Sequence, residues 1–307
     1  MEPLFLRPYY KKTVWAGTRL SKIRGLDKSD KLGISREICA YKDEGNIIES
    51  GEFKGQSITD LIKSHQVELM GNDNSGQLIR VAYMDTDKAL SIQVHPGDEY
   101  AKAVENDYEK SEAWYILDCA EDAYITAGTT ITDKGRLKEA ALNGSIEQYT
   151  RKIPVNKGDF VLIPAGLLHA CCEDVFAVEI GSFGGITYRV YDYGRGRELD
   201  IEKSFDVIDT EIQCTLSSFP KAELGKGYKK LEAIRHQLFK SNVIDIKHEY
   251  KTEKSGNYVV ITVVEGVAEL VVEEKRCIIP YTRSVLIPAC IRNFEIVGEC
   301  RVIESYR

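Results

Sequence analysis

The chain has 307 residues, of which 43% are hydrophobic and 29% are charged, a composition typical of a globular protein with one or two domains. The net charge of -7 argues against a nucleic-acid partner bound through a broad basic surface. The sequence has no apolar run of membrane-spanning length, no signal-peptide pattern and no CxxC spacing among its eight cysteines, so we expect a cytoplasmic protein with reduced thiols and no membrane partner.

Short segments rich in Val, Ile, Tyr and Phe, separated by Gly, Asp, Asn and Pro, predict many β-strands. Strands this short and numerous favour an antiparallel sandwich or barrel over a βαβ sheet. In chain order, the predicted strands lie in VAYMDTDKALSIQVHP, EAWYILDC, AYITAG, DFVLIPAG, VFAVEIGS, ITYRVYDY, YVVITVVEG, VAELVVEE and SVLIPA.

Helical patterns are few. A helix is predicted to begin at the capping pair of Ser57 and Asp60 and to end before Gly71. Two shorter helices are predicted within residues 131–144 and 145–153. Because these two interrupt the β pattern, we expect a small helical insertion over about 131–153.

The mixed, charged segment from about 200 to 240 predicts a linker, which divides the chain into domains of residues 1–240 and 241–307. The second domain contains an echo of the first, because GDFVLIPAGLLH (158–169) aligns without gaps on TRSVLIPACIRN (282–293). Asn293 then falls on His169. We therefore expect the second domain to be a degenerate copy of one β-unit that binds no metal.

Four residues form a candidate metal set. Gln93 and His95 lie two apart, so a strand places both side chains on one face. Glu112 follows in KSEAWYIL, and His169 closes the pattern G-x5-P-x-G-x2-H. Together these resemble the two halves of the cupin signature, and two imidazoles, a carboxylate and an amide oxygen suit zinc or a similar divalent ion. The other three histidines lack such partners and are interpreted as packing or surface residues.

The glutamine of the Q-x-H pair is the discriminating detail, since most cupins have a histidine at this position. With KSEAWY, GDFVLIPAGLLHA and TYRVYDYGR, the stretch QVHP resembles the short bacterial form of class I mannose-6-phosphate isomerase, over nearly the whole chain. The resemblance implies a mainly β fold of two cupin-type jelly-roll barrels. It implies one zinc ion per chain, held by Gln93, His95, Glu112 and His169.

The resemblance also implies an activity, the interconversion of mannose 6-phosphate and fructose 6-phosphate through an enediolate. It maps the active-site arginine of the family onto Arg189 and a pocket lysine onto Lys110. Lys110 is then expected to bind phosphate or to carry a proton, and Arg189 to steady negative charge. The general base stays open, with Asp192 and Glu179 as candidates by proximity in the chain.

Two departures from the family pattern fall on Arg36, where the family usually has tryptophan, and on GSFGGIT (181–187).

Three alternatives also follow from the residues. The same ligands suit an iron-dependent cupin oxygenase. The second alternative is a different phosphosugar isomerase or epimerase. The third is a cupin that binds a sugar without turnover. The absence of a basic DNA-binding segment counts against a regulator.

Overall fold

The structure of the protein is a computed structural model that describes residues 1–27, 29–42, 44–253 and 256–307. The fold is mainly β, with 42% strand and 15% helix, which confirms the predicted fold class. No helix among the described residues is long and apolar enough to cross a membrane. The elements, in chain order, are β1 Tyr9–Lys11, α1 Arg19–Ile23, β2 Ile34–Ile38, β3 Ala40–Tyr41, β4 Glu44–Gly45, α2 Ile58–Ser64, α3 Gln66–Met70, β5 Arg80–Asp85, β6 Ile92–Val94, α4 Asp98–Glu105, β7 Glu112–Cys119, β8 Tyr124–Thr129, α5 Lys134–Leu142, a 3-10 helix Ile146–Tyr149, β9 Thr150–Pro154, β10 Asp159–Ile163, β11 His169–Cys171, β12 Val175–Gly181, β13 Tyr188–Tyr191, α6 Ile201–Val207, β14 Thr215–Ser218, β15 Tyr228–Arg235, β16 Lys240–Ile246, β17 Glu249–Glu253, β18 Val259–Gly266, β19 Ala268–Val272, β20 Lys275–Ile279, β21 Ser284–Ile287, β22 Asn293–Val297 and β23 Cys300–Tyr306.

The chain forms two compact units whose boundaries differ from the predicted division at residue 240. One unit, called the C-terminal unit, consists of residues 1–9, 35–82 and 219–307, and the other, called the central unit, of residues 10–34 and 83–218. The first residues join the C-terminal unit because Leu4 and Leu286 exchange both of their backbone hydrogen bonds, at 2.8 and 3.0 Å. The predicted linker contains α6, β14 and β15.

The core of the central unit lies between two layers of strands, as in a jelly roll. One layer contains the consecutive strands β12, β7, β10 and β14. The facing sheet has the order β13-β6-β11-β8-β9. Alternate residues of both layers fill the space between them, and Trp114, Ile163, Ile125 and Cys171 are all buried there.

Helices cover the outer face of the five-stranded sheet. Ile92, Val94 and Leu168 point away from the interior and pack against Leu137 of α5 and Phe205 of α6. Because side chains alternate along a strand, this outward packing turns residues 91, 93, 95 and 169 toward the interior. Residues 145–153, predicted to be helical, instead form the 3-10 helix and β9. Their pairing with β8 decides this, for example Ile153 with Ile125.

The C-terminal unit repeats the two-layer arrangement. Its sheets have the orders β15-β16-β23-β18-β21 and β17-β22-β19-β20, with an apolar core between them. The predicted echo also has a structural counterpart, since β10 pairs with β7 as β21 pairs with β18. Ile163 lies opposite Glu112 in the first pairing, and Ile287 lies opposite Val259 in the second. The apolar Val259 therefore occupies the register position that Glu112 has in the central unit.

Candidate metal centre and its surroundings

Three strands of the five-stranded sheet place polar residues in one row across the central unit. His169 of β11 pairs with Gln93 of β6, and Gln93 pairs in turn with Arg189 of β13. Residues directly opposite each other in an antiparallel sheet project from the same face. The sheet therefore gathers three residues that are distant in the sequence on its inner face.

The facing layer supplies the carboxylate. Glu112 is the first residue of β7, where it pairs with Ile163 and Gly181. One ligand atom from each of His95, Glu112 and His169 lies within 4.8 Å of the other two, and all three residues are at most 1% exposed. The structure thus brings together three of the four predicted metal-binding residues as one buried group.

Backbone carbonyls orient both imidazoles. His95 donates a hydrogen bond from Nδ1 to the Ile186 carbonyl at 2.9 Å, and His169 donates from Nδ1 to the Leu167 carbonyl at 2.8 Å. A histidine that donates from Nδ1 has its lone pair on Nε2 when it is neutral. The two Nε2 atoms each lie 3.4 Å from a different oxygen of Glu112. Both lone pairs therefore converge with the carboxylate on one small region.

The Glu112 carboxylate is a buried anion with few partners. Among the described residues, neither of its oxygens has a partner that meets hydrogen-bond geometry. The nearest cation is Lys110, whose Nζ lies 3.0 Å from Glu112 Oε2 and 2.8 Å from His95 Nε2. Burial opposes the charged form, but the neighbouring Lys110 and histidines hold the pKa of Glu112 well below its usual range. The donor set is therefore anionic and suits a divalent cation.

Gln93 of β6 completes the group, two residues before His95, which directly follows that strand. Its Nε2 lies 3.4 Å from His169 Nε2, and its Oε1 accepts a hydrogen bond from the Ser91 hydroxyl at 3.2 Å. A half-turn of the amide exchanges the positions of these two atoms. Gln93 is thus within reach of the same region as the two histidines.

Arg189 lies beside this group and is half-buried. Its Nη1 donates to the Glu198 carbonyl at 2.9 Å, and its backbone N–H donates to Asp200 at 3.1 Å. Its buried Nε has no hydrogen-bond partner in the part of the chain that the structure describes. Burial, followed by the nearby Arg197, lowers the pKa of Arg189. One donor of a permanently charged guanidinium is therefore available to a ligand.

The two candidate bases have different surroundings. Asp192 is buried and accepts hydrogen bonds from Arg195 and Arg197, at 2.5 to 2.8 Å. Although burial raises it, the two guanidinium groups lower the pKa of Asp192 overall. Such a carboxylate is poorly suited to accept a proton. Glu179 of β12 pairs with Trp114, two positions from the Gly181–Glu112 pair, and so shares the inner face of its sheet with Glu112.

The two departures from the family pattern have defined places. Arg36 lies in β2 of the C-terminal unit and forms an ion pair with Glu44. The segment 181–187 packs along residues 107–111, and Gly184 donates to the Glu109 carbonyl at 3.1 Å. It also supplies the Ile186 carbonyl that orients His95. Sequence reasoning missed this role, since a backbone carbonyl leaves no signal in the side-chain pattern.

Gly184 is a position where any side chain should destabilise the fold. A Cβ atom there would lie 2.2 Å from the Tyr108 carbonyl oxygen and 2.6 Å from that of Glu109. We expect Gly184→Ala to lower the free energy of unfolding by about 1–3 kcal/mol, as overpacking does. Urea denaturation measures this change. Gly225→Ala is the matched control, because its Cβ would meet nothing within 4 Å, and equal effects of the two variants would contradict the assignment.

The metal-free protein should lose stability as the pH falls through the range in which His95 of the unfolded chain protonates. Burial, followed by the charge of Lys110, lowers the pKa of His95 from 6.5 to about 3 in the folded chain. Below pH 6.5 the unfolded state therefore binds more protons, so the free energy of unfolding falls by up to about 1.4 kcal/mol per pH unit. Urea denaturation with chelator present, at about pH 7 and about pH 5, tests this expectation. His95→Gln should flatten the dependence, and an unchanged slope would argue against it.

Comparison with known proteins places these observations in a family. The sequence profile of the mannose-6-phosphate isomerase cupin domain matches residues 229–307. Over 317 aligned residues the chain is 30% identical to YvyI of Bacillus subtilis, which is named provisionally as a mannose-6-phosphate isomerase. This alignment covers 99% of the chain and 98% of YvyI.

Solved structures show the same relationship. The crystal structure of the mannose 6-phosphate isomerase from Bacillus subtilis matches with a TM-score of 0.91 and 29% identity, over 100% of both chains. A zinc-bound mannose 6-phosphate isomerase matches with a TM-score of 0.78 and 16% identity, again over 100% of both chains, and shares the fold.

Proposed function

This chain belongs to the mannose-6-phosphate isomerase family, and we propose that it interconverts mannose 6-phosphate and fructose 6-phosphate with one zinc ion per chain. The observation that carries the proposal is the convergence of two Nε2 lone pairs and the buried Glu112 carboxylate. Beside it, the Arg189 guanidinium keeps one buried donor for a ligand. The class of the enzyme is aldose–ketose isomerase, and its substrate is a small phosphosugar.

Four side chains would hold the ion. His95 and His169 would contribute their Nε2 atoms, Glu112 its carboxylate, and Gln93 its amide oxygen, which accepts from Ser91 in this structure. Two imidazoles, a carboxylate and a neutral amide favour zinc and leave the site with net positive charge once it is loaded. Bound there, the ion supplies Lewis acidity, which makes a hydrogen beside the sugar carbonyl more acidic. The carbonyls of Ile186 and Leu167 fix the two imidazole rings in the orientation in which Nε2 faces the ion.

The chain's own residues handle the charge that isomerisation creates. A proton moves between C1 and C2 of the open sugar, and negative charge develops on the adjacent oxygens. Arg189 stays protonated throughout, so its unpartnered Nε–H can donate to one of these oxygens or to the phosphate. Lys110 has three N–H donors, and its Nζ lies 2.8 Å from His95 Nε2 and 3.0 Å from Glu112 Oε2. Because this side chain keeps 11% exposure beside a Glu112 side chain at 1%, Lys110 can also donate to a substrate.

The remaining expectations follow from the same structure. We propose that the C-terminal unit binds no metal, since Val259 and Asn293 take the register and motif positions of Glu112 and His169. All eight cysteines are free thiols, which supports the expected location in a reducing cytoplasm.

A coupled assay from mannose 6-phosphate to fructose 6-phosphate tests the function directly. The purified protein should turn over, lose activity when treated with a chelator, and regain it when zinc is added back. Metal analysis of the active protein should find one zinc per chain. A zinc-loaded protein without turnover would overturn the proposal, and iron with oxygen-dependent turnover would favour the oxygenase alternative.

A further inference from the structure

A buried carboxylate organises the turn that follows β13. Asp192 is 3% exposed and binds two guanidinium groups. Arg197 donates from Nε to Oδ2 at 2.8 Å and from Nη2 to Oδ1 at 2.5 Å, while Arg195 donates from Nη2 to Oδ1 at 2.7 Å. Arg195 also donates from Nε to the Asp192 carbonyl at 3.0 Å. Both oxygens of the carboxylate are therefore committed to the turn.

The turn needs such support because its backbone is unusual. Tyr193, Gly194 and Gly196 have φ angles of 52°, 69° and 78°, all in the left-handed region. Glycine adopts this region without strain, but Tyr193 does not. Charge-assisted hydrogen bonds from Arg195 and Arg197 to this one carboxylate can hold this conformation.

The same turn contacts two chain segments that carry residues of the candidate site, the one before Gln93 and the one that contains Arg189. At one end, Arg195 donates from Nη1 to the Ala89 carbonyl at 2.8 Å, four residues before Gln93 on the same chain segment. At the other end, the residue after Arg197 is Glu198, whose carbonyl accepts the Arg189 guanidinium at 2.9 Å. Two residues further, Asp200 donates to the Arg189 carbonyl at 2.8 Å and accepts from its N–H.

We propose that Asp192 is a positioning residue that acts through Arg189 rather than a general base. This inference rests on the proposed function and extends it. The carboxylate clamps Arg197, the clamp places the Glu198 carbonyl, and that carbonyl sets the direction of the Arg189 guanidinium. Arg189 shares a row with Gln93 and His169, so its direction decides whether its free donor reaches a substrate bound at the metal set.

Asp192→Asn tests the proposal, since it keeps the size of the side chain and removes its charge. We expect kcat to fall about 100-fold, which is the loss typical of a displaced catalytic group. The zinc content should stay unchanged. The control Asp60→Asn alters an exposed carboxylate on α2 that pairs with Lys63 and should leave kcat unchanged. A wild-type kcat in Asp192→Asn would overturn the inference.

A double-mutant cycle separates positioning from proton transfer. If Asp192 acts through Arg189, adding Asp192→Asn to Arg189→Lys should cost little more than either change alone. If Asp192 were the base, the two losses would multiply, and the acidic limb of the pH profile of kcat/KM would disappear in Asp192→Asn. Either of these outcomes would contradict positioning.

A second variant keeps the test decisive if Asp192→Asn folds poorly by circular dichroism. Arg197→Lys preserves the charge but loses the two-point contact with Asp192. It should lower kcat about tenfold in the wild-type background and leave kcat unchanged in the Arg189→Lys background. An undiminished loss in that background would overturn the inference. A wild-type enzyme without turnover would instead refute the proposed function, which keeps the two failures distinct.

Discussion

His169→Ala should abolish metal binding and activity together. The change removes one of the two oriented Nε2 atoms of the buried set and leaves His95 as its single imidazole beside Glu112. We expect activity to fall by at least about 1,000-fold, which corresponds to the several kcal/mol that a metal ion contributes to such reactions. Zinc content by mass spectrometry and the coupled isomerase assay measure the two losses.

His248→Ala is the matched control for this prediction. His248 is exposed and lies in the C-terminal unit, where its backbone carbonyl accepts from the Gly298 N–H at 2.9 Å. It should keep both zinc and activity. Full metal content and full activity in His169→Ala would show that the ligand assignment is wrong, whereas loss of activity with metal retained would place His169 in the reaction but outside the metal set.

Arg189→Lys should impair the reaction while leaving the metal in place. Lysine keeps the positive charge but presents it as a point, so it cannot both donate to the Glu198 carbonyl and offer a second fixed donor to substrate. We expect kcat/KM to fall about 100-fold, within the range seen when one oriented donor is removed from an active site. Steady-state kinetics with zinc analysis on the same samples test this.

Arg276→Lys provides the comparison, since Arg276 is an exposed arginine of β20 that pairs with Glu269 at 2.7 Å. It should behave as wild type. A loss in Arg189→Lys that comes with loss of zinc would indicate a role in assembling the metal set. Activity equal to that of the wild type would remove Arg189 from the proposed mechanism.

Much of the central unit was predictable because its signals are local. The segment EAWYILDC coincides with β7, and SIQVHP contains β6, which Gln93 lies in and His95 directly follows. By contrast, β23 went unpredicted although it is a central strand of the C-terminal unit. Its letters CRVIESY look polar, but Arg301 is buried in a two-point ion pair with Asp245, at 2.7 and 2.8 Å. Single-sequence hydrophobicity cannot reveal a partner that is 56 residues away.

The domain boundary and the role of Asp192 illustrate the same limit. The order of the chain suggested that the first residues belong to the metal-binding domain, whereas the hydrogen bonds between Leu4 and Leu286 assign them to the other unit. Proximity along the chain suggested Asp192 as a base, but two arginines three and five residues later occupy its oxygens. Long-range pairing and ion pairing both depend on geometry that residue order does not contain.

The sequence by itself determined the residue types and the spacing of the candidate metal set. Two-residue spacing puts Gln93 and His95 on one face, because the period of a strand is two residues wherever the strand lies. Only the tertiary structure decided that Glu112 of the facing sheet meets His95 and His169 within 4.8 Å, and that the carbonyls of Ile186 and Leu167 turn both lone pairs inward. These features arise when sheets pack and loops close, so they depend on contacts between distant parts of the chain.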